Sequence, residues 1–178
     1  MDKRKGQVAV EFLMYAGLFM IIAIAAYVLA SFTERGEVSL RESQLITAFG
    51  YKFANSPTIA FKGGEGFTYD ISFAKKIDGR PYNVTYLCRT TAGEYRCSVQ
   101  VGWQGTYQPF VYPYTIAPAN YVVGSGSSGC LDDSVSSVSD IDAIYFDSEQ
   151  TNGHLIFKNI GIESGEEYPT IELYCEVP

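Results

Sequence analysis

The residues best suited to chemistry lie close together near the start of the sequence. Three basic residues, Lys3-Arg4-Lys5, precede Gly6 and Gln7, and Glu11 follows just before a long stretch without charge. A small residue after a basic patch suits cleavage by a peptidase, and cutting between Gly6 and Gln7 would create a new α-amine. Glu11 lies four residues further on, about one helical turn away, where its carboxylate can pair with an amine. This order predicts a precursor that is cut before its apolar segment.

The apolar segment that must position Glu11 is long enough to cross a membrane. It covers residues 12–33, and as a helix these 22 residues would span about 33 Å. The hydrocarbon core of a bilayer is roughly 30 Å thick. A secretory signal peptide needs only about 7–15 apolar residues and a small-residue cleavage site beyond them. Here the small residues Ala23-Ile24-Ala25 lie inside the segment. An ordinary signal peptide and a plain membrane anchor remain the alternatives.

The same segment carries small residues at regular intervals. Ala16, Ala23 and Ala30 recur every seven residues, and small residues let helices approach closely in lipid. A helix that is apolar on every side must be buried in lipid or in a bundle. We therefore expect Glu11, Phe12 and the three alanines to act in assembly. An ordinary anchor with average alanine content is the alternative.

The motif around Gly6 resembles that of a known family. Lys5-Gly6-Gln7, with Glu11 fifth when Gln7 is counted as first, resembles the class III signal peptide of type IV pilins. Gln7 followed by Val-Ala-Val-Glu-Phe is similar to the archaeal members. The resemblance implies cleavage after Gly6 by a membrane prepilin peptidase, and then polymerisation by a pilus assembly ATPase and a membrane platform protein. Archaellins share this processing, but their mature ends usually lack the pairing of Gln and Glu.

Glu11 has two possible roles. After cleavage its carboxylate could pair with the amine of its own chain or with that of a neighbouring subunit, and in a core of low dielectric such a pair is strong. A pair between subunits would set the register between helices. Alternatively, Glu11 lies hydrated and unpaired among the lipid headgroups. Before cleavage, Lys3-Arg4-Lys5 would hold the cytoplasmic side of the membrane.

The sequence after the apolar segment divides into a helix and a head. An amphipathic pattern continues to about Phe49 with a possible bend at Gly36, and Gly50 with Asn55-Ser56-Pro57 predicts a stop. We therefore expect a leader peptide at residues 1–6, a long helix at 7–50 and a head domain at 51–178.

The head has the pattern of a β domain. Runs rich in Tyr, Thr, Val and Ile predict strands at residues 58–61, 67–73, 82–90, 94–101, 141–148, 154–159 and 170–175. A loop at Thr91-Ala92-Gly93-Glu94 would place Cys88 opposite Cys97, and Asn152-Gly153 carries a hairpin signal between two further runs. Residues 102–129 are expected to be irregular. The predicted fold class is α+β, with a long helix followed by a mostly antiparallel sheet or sandwich.

The four cysteines predict two disulfides outside the cytosol. The hairpin geometry favours Cys88 with Cys97, which leaves Cys130 with Cys175, although three pairings are possible. A zinc site is the weaker interpretation, because there is no CxxC motif and His154 is the sole histidine.

The charge of the chain favours an exposed surface over a nucleic-acid partner. Removing residues 1–6 takes away three positive charges and one negative charge, so the formal charge would move from −7 to −9. Nucleic-acid binding requires a basic face. Asn83-Val84-Thr85 is a sequon for N-glycosylation, which requires Asn83 on the solvent face of its strand.

The sequence offers no active site, and we expect neither an enzyme nor a cofactor. His154 stands alone, and the acidic stretch that includes Asp132 and Asp147 lacks the spacing of an EF-hand. The sequence therefore predicts a structural subunit of an archaeal type IV pilus or pilus-like filament, which contacts copies of itself. The precursor would lie in the cell membrane and the mature chain in an extracellular filament that serves attachment. The alternative is a non-polymerising, membrane-anchored binding protein of the cell surface.

Overall fold

The computed structural model of the protein describes residues 3–91, 94–106, 108–125, 127, 129–132 and 141–175. Side chains are described from Val10 onward, except those of residues 141 and 142. The chain divides into two compact units, Met1–Arg41 and Glu42–Pro178. One α-helix, α1, spans Lys3–Gly63. Within the second unit, the last part of α1 is followed by all of the described strands.

Eight strands follow α1 in the described part of the chain. They are β1 (Thr68–Ser72), β2 (Tyr82–Thr91), β3 (Glu94–Gln104), β4 (Pro109–Ile116), β5 (Asn120–Val123), β6 (Ile141–Asp147), β7 (His154–Gly161) and β8 (Thr170–Cys175). They form two four-stranded sheets, one in the order β1-β7-β8-β5 and the other in the order β4-β3-β2-β6. Every pairing is antiparallel except the parallel pairing of β5 with β8. The predicted α+β fold class is confirmed.

Both sheets and the second-unit part of α1 share one hydrophobic core. Phe53 of α1 is fully buried, and its ring centroid lies 5.3 Å from Phe73, 5.7 Å from Phe146 and 6.0 Å from Tyr82. Alternate residues of β2 face this core, as expected for a strand with one buried face. Burying an aromatic side chain of this kind contributes about 1.5–3 kcal/mol. The core therefore depends on α1 as much as on the sheets.

The helix α1 ends later than the sequence predicts. The expected stop at Gly50 and Asn55-Ser56-Pro57 is wrong, because the helix continues to Gly63. The strand predicted at residues 58–61 is therefore helical. Gly50 serves a close contact instead of a stop, since the ring of Tyr114 lies where a Cβ atom at Gly50 would be.

The helix tolerates Pro57 because other groups bond the carbonyls around it. Proline has no N–H, so the carbonyl of Phe53, four residues earlier, loses its helical donor. The buried hydroxyl of Tyr86 donates to this carbonyl at 3.4 Å. The hydroxyl of Ser56 donates to the carbonyl of Lys52 at 2.6 Å. Burial raises the pKa of Tyr86 well above its usual value, so this side chain remains a donor.

Replacing Tyr86 by phenylalanine should destabilise the second unit because the Phe53 carbonyl is then buried without a donor. We expect a loss of about 1–3 kcal/mol in the free energy of unfolding. In a Pro57→Ala background the restored N–H serves that carbonyl, so Tyr86→Phe should cost much less. Urea unfolding of the four proteins, followed by the fluorescence of the buried Trp103, measures both costs. Equal costs in the two backgrounds would contradict this role of Tyr86.

The end of α1 is fixed by a glycine and a buried amide. Gly64 has a φ of +83°, in the left-handed region that commonly follows a helix. The side chain of Asn159, in β7, donates to the carbonyls of Ala60 at 3.2 Å and Phe61 at 3.3 Å. Its own oxygen accepts from the N–H of Gly161 at 2.9 Å. A strand residue thus supplies donors for the last carbonyls of the helix.

Residues 102–129 contain two strands that the sequence does not predict. Pro109–Ile116 forms β4 and Asn120–Val123 forms β5, so the expectation of an irregular segment is wrong. Prolines are tolerated in β4 because it lies at a sheet edge, where one side of the backbone has no partner in the sheet.

The hairpin predicted at Asn152-Gly153 is also wrong. Its two flanking strands belong to different sheets, since β6 pairs with β2 whereas β7 pairs with β1 and β8. The side chain of Asp147 accepts from the N–H of Glu149 at 2.9 Å and begins a short 3-10 helix, Ser148–Gln150. This short helix redirects the chain from one sheet to the other. Gly153 does adopt a left-handed φ of +89°.

Candidate assembly surface

The first unit exposes an apolar helix on all sides. Every residue from 10 to 30 is exposed, and the large side chains include Phe12 at 71% and Phe19 at 77% exposure. The hydroxyls of Ser31 and Thr33 donate to carbonyls of their own helix at 2.9 and 3.0 Å. Their polar groups are thus satisfied without water, as an apolar environment requires. Exposed apolar surface of this extent marks a site that lipid or protein covers.

The residues predicted to act in assembly lie on different faces of this helix. At about 100° per residue, residues seven apart return to nearly the same face, so Ala16, Ala23 and Ala30 form one stripe. Glu11 lies about 140° around the helix from Ala16 by the same geometry. Phe12 is within about 40° of the alanine stripe. One helix can therefore present its carboxylate and its small residues to different neighbours.

The backbone of the predicted processing site is part of the helix α1. Gly6 and Gln7 are both helical, but the side chains of residues 3–9 lie outside the described part of the chain. The pairing of Glu11 with an amine at Gln7 therefore stays a prediction. Glu11 itself is described and exposed.

By length and composition, the described helix Val10–Gly63 could cross a membrane. None of its most apolar 18-residue window is buried inside the protein. The core helix of a soluble protein would be mostly buried, so this segment indicates membrane insertion. This agrees with the interpretation of residues 12–33 from the sequence.

Both predicted disulfides are confirmed. Cys88 and Cys97 lie directly opposite each other on β2 and β3, with their Cα atoms 4.1 Å apart. Cys130 and Cys175 are also bonded, with a Cα separation of 6.3 Å across 45 positions of sequence. Disulfides persist in oxidising compartments, so they indicate a location of this unit outside the cytosol.

Asn83 has the exposure that glycosylation requires. It points outward from β2, next to the fully buried Val84, so it lies on the solvent face of the strand. Its side chain lies over Gly102 of β3, where a Cβ atom would clash with the Asn83 amide oxygen. Gly102 therefore leaves room for the Asn83 side chain. Glycosylation itself stays a prediction.

The histidine of the head lies beside one carboxylate. His154 Nδ1 lies 3.3 Å from Asp70 Oδ1, and both side chains are about half exposed. Among the described residues, no three His, Cys, Asp or Glu side chains come together as a metal site. Of the acidic stretch, Asp133 and Asp140 lie outside the described residues, whereas the backbone of Asp132 pairs with that of Tyr145.

The sequence analysis does not predict one buried carboxylate, that of Glu42. Glu42 is only 3% exposed, and its Oε1 accepts from the N–H of Thr106 at 2.7 Å and also from the Thr106 hydroxyl. These bonds fix the loop between β3 and β4 to α1. Its burial does have a sequence signal, because Glu42 lies four residues before the buried Ile46 and therefore on the same face of the helix.

Comparisons with known proteins identify no relative. No protein-family model, curated protein or solved structure matches this chain. Its function is therefore inferred from its own residues and their arrangement.

Proposed function

We propose that this chain is a structural subunit of an archaeal type IV pilus or of a related surface filament. The precursor lies in the membrane through α1, with its disulfide-bonded head outside. A prepilin peptidase removes residues 1–6, and an assembly ATPase and a membrane platform protein then stack the helices. The filament serves attachment or cell contact.

The observation that carries the proposal is the combination of Glu11 with the exposed helix behind it. A lone carboxylate beside an apolar segment is costly in a membrane, so it is a functional candidate by default. The helix can be covered by lipid in the precursor and by copies of itself after extraction. Its alanine stripe permits close packing in either setting.

The alternative is a membrane-anchored binding protein that does not polymerise. The same exposed helix supports it, because an anchor also has to be apolar on all sides. The two functions differ at Gly6, since an anchor needs no cleavage there.

The Gly6→Leu variant tests the proposal. In a host that has pilus machinery, we expect this variant to remain uncleaved in the membrane and to give no filaments when cells are sheared. Gly36→Leu is the matched control, because a Cβ atom at Gly36 meets nothing within 4 Å and the residue lies outside the motif. Normal filaments of uncleaved Gly6→Leu protein would contradict the proposal.

We further propose that Asn83 carries an N-linked glycan on the exposed surface of the head. Thr85→Ala removes the sequon and should abolish the added mass on the peptide that contains Asn83. Thr115→Ala is a control, because Thr115 is an exposed threonine of β4 in the same sheet and belongs to no sequon. Mass spectrometry of peptides from cells that make the filament distinguishes these results. An unmodified Asn83 in the unaltered protein would refute the glycan and leave the filament function untouched.

A further inference from the structure

An open pocket in the second unit lies between α1 and the segment that follows β1. It has a volume of about 440 Å³. Four of its six wall residues are apolar, and the walls consist of Ala48, Phe49, Lys52, Ser72, Phe73 and Ala74. This volume falls within the range of about 300–1,000 Å³ that binding clefts have. The pocket therefore has room for an apolar side chain.

The surroundings of this pocket are basic. Residues 74–80 contain three basic residues and one acidic residue, and Lys52 lines the pocket itself. Lys76 pairs with Glu149 at 3.0 Å, whereas Lys52 and Lys75 form no ion pair with any described residue. The pocket therefore favours an apolar group that is accompanied by negative charge.

The loop between β7 and β8 has the complementary character. Ile162 in this loop is 65% exposed, although it is a large apolar residue. Glu163, Glu166 and Glu167 follow it, and the loop contains no basic residue. Glu166 accepts from the side chain of Asn120 at 3.0 Å. Glu163 and Glu167 form no ion pair among the described residues, so the loop presents an apolar side chain beside two carboxylates that lack a cation.

The pocket and the loop lie at opposite ends of the sheet that contains β7. The N–H of Phe73, in the pocket wall, donates to the carbonyl of Gly153 at 2.7 Å, just before β7 begins. Ile162 directly follows Gly161, the last residue of β7. Eight residues of extended strand separate these two points by about 26 Å. A chain therefore cannot place its own Ile162 in its own pocket.

The direction from the pocket to the loop follows the second-unit part of α1. Phe49 and Lys52 of the helix line the pocket. At the other end, the carbonyls of Ala60 and Phe61 accept from the side chain of Asn159, near the end of β7. The second-unit part of α1 and β7 therefore run in the same direction. Copies joined loop to pocket would be offset along this direction, as stacked helices are in a filament.

We propose that the loop between β7 and β8 of one copy docks into this pocket on a second copy of the chain. Ile162 enters the pocket, and the carboxylates of Glu163 and Glu167 pair with Lys52 and Lys75 of the second copy. Because the two surfaces differ, the contact is heterologous and builds an open, head-to-tail assembly. This docking rests on the proposed function, since a filament brings the heads together at high local concentration.

A pair of introduced thiols tests the docking. The full chain carries Ile162→Cys together with Ala74→Cys and is treated in detergent micelles with a short, thiol-specific cross-linker. The four native cysteines form disulfides, so only the introduced thiols react. Because the two positions lie about 26 Å apart in one chain, cross-links form only between copies. We expect a ladder of dimers, trimers and larger species on a denaturing gel, half-maximal at a protein concentration on the order of 100 µM.

The single variants are the matched controls. Ile162→Cys alone and Ala74→Cys alone should each give at least about tenfold less cross-linked protein, because each places its thiol on only one of the two surfaces. A mixture of the two single variants should give dimers but no larger species.

Charge reversal tests which side chains meet in the contact. In the double-thiol protein, Glu163→Lys should lower the yield of cross-linked species about threefold, because an exposed ion pair is lost and like charges face each other. Lys52→Glu should have the same effect. The two reversals combined should restore the yield, since each contact again joins opposite charges. Unchanged fluorescence of the buried Trp103 would show that these variants are folded.

Three results would overturn the docking. One is the absence of a ladder from the double-thiol protein in micelles. Another is equal cross-linking of the single and double variants, which would indicate a symmetric or random contact. The third is a combined charge reversal that leaves the yield as low as either reversal alone.

The micelle test and the cell test with Gly6→Leu can fail independently. A ladder in micelles together with normal filaments of uncleaved Gly6→Leu protein would refute the proposed function and support the docking. No ladder, together with filaments that Gly6→Leu abolishes, would refute the docking and leave the proposed function intact.

Discussion

Replacing Glu11 by alanine should abolish filaments while leaving the chain in the membrane. In the assembled core the variant would leave the α-amine of Gln7 without its carboxylate. Breaking a buried ion pair costs about 3–5 kcal/mol, which corresponds to a roughly 150- to 5,000-fold loss in an association constant. Immunoblots of sheared filaments and of membranes from the same cells measure both pools. The membrane pool should be unchanged or larger.

Glu34→Ala is the control for this experiment. It removes one exposed carboxylate from the same helix, at the other end of the charge-free segment. We expect it to give filaments in normal amounts. Normal filament yield from Glu11→Ala would favour the hydrated, unpaired carboxylate of a simple anchor and count against the filament subunit.

Replacing Phe53 by alanine should be among the most damaging single changes to the second unit. The ring is fully buried and contacts three other aromatic rings of the core, so its removal leaves a cavity between α1 and both sheets. Such substitutions cost about 3–5 kcal/mol, a large part of the roughly 5–15 kcal/mol that stabilises a typical domain. Urea unfolding of the full chain in detergent, followed through Trp103, gives the change.

Tyr51→Ala serves as the comparison, because Tyr51 lies two residues away on α1 and is 57% exposed. It should cost less than about 1 kcal/mol, although its ring contacts Tyr114. If Phe53→Ala cost no more than Tyr51→Ala, the second-unit part of α1 would not be packed into the core as described.

The strands that the sequence predicts correctly are marked by patterns among residues that are close together in sequence. Alternation along β2 and β3 and the short loop between them place Cys88 opposite Cys97, and the structure confirms this register. The helix end could not be predicted in this way. Pro57 reads as a stop, and the group that compensates for it, the Tyr86 hydroxyl, lies 29 positions away in sequence but against the same carbonyl in space.

The candidate functional residues also divide into those with a local sequence signal and those that depend on residues distant in sequence. Gly6, Gln7 and Glu11 are predicted from one short stretch of sequence, because a leader motif and a charge-free segment are local features. The bond between Glu42 and Thr106 cannot be predicted in this way, since the two residues lie 64 positions apart in sequence. β5 itself was missed because its four residues are too few for a clear alternation and follow a proline-rich stretch.

Mass spectrometry of surface material sheared from cells tests the central claim most directly, by identifying the N-terminal peptide of the chain. The search has to include a pyroglutamate form, because a terminal Gln7 can cyclise and would then lack the amine that Glu11 is proposed to pair with. The filament subunit predicts a mature start at Gln7 in the sheared filaments. A chain that begins at Met1 or Asp2 and occurs only in the membrane fraction would contradict it and favour the anchored binding protein.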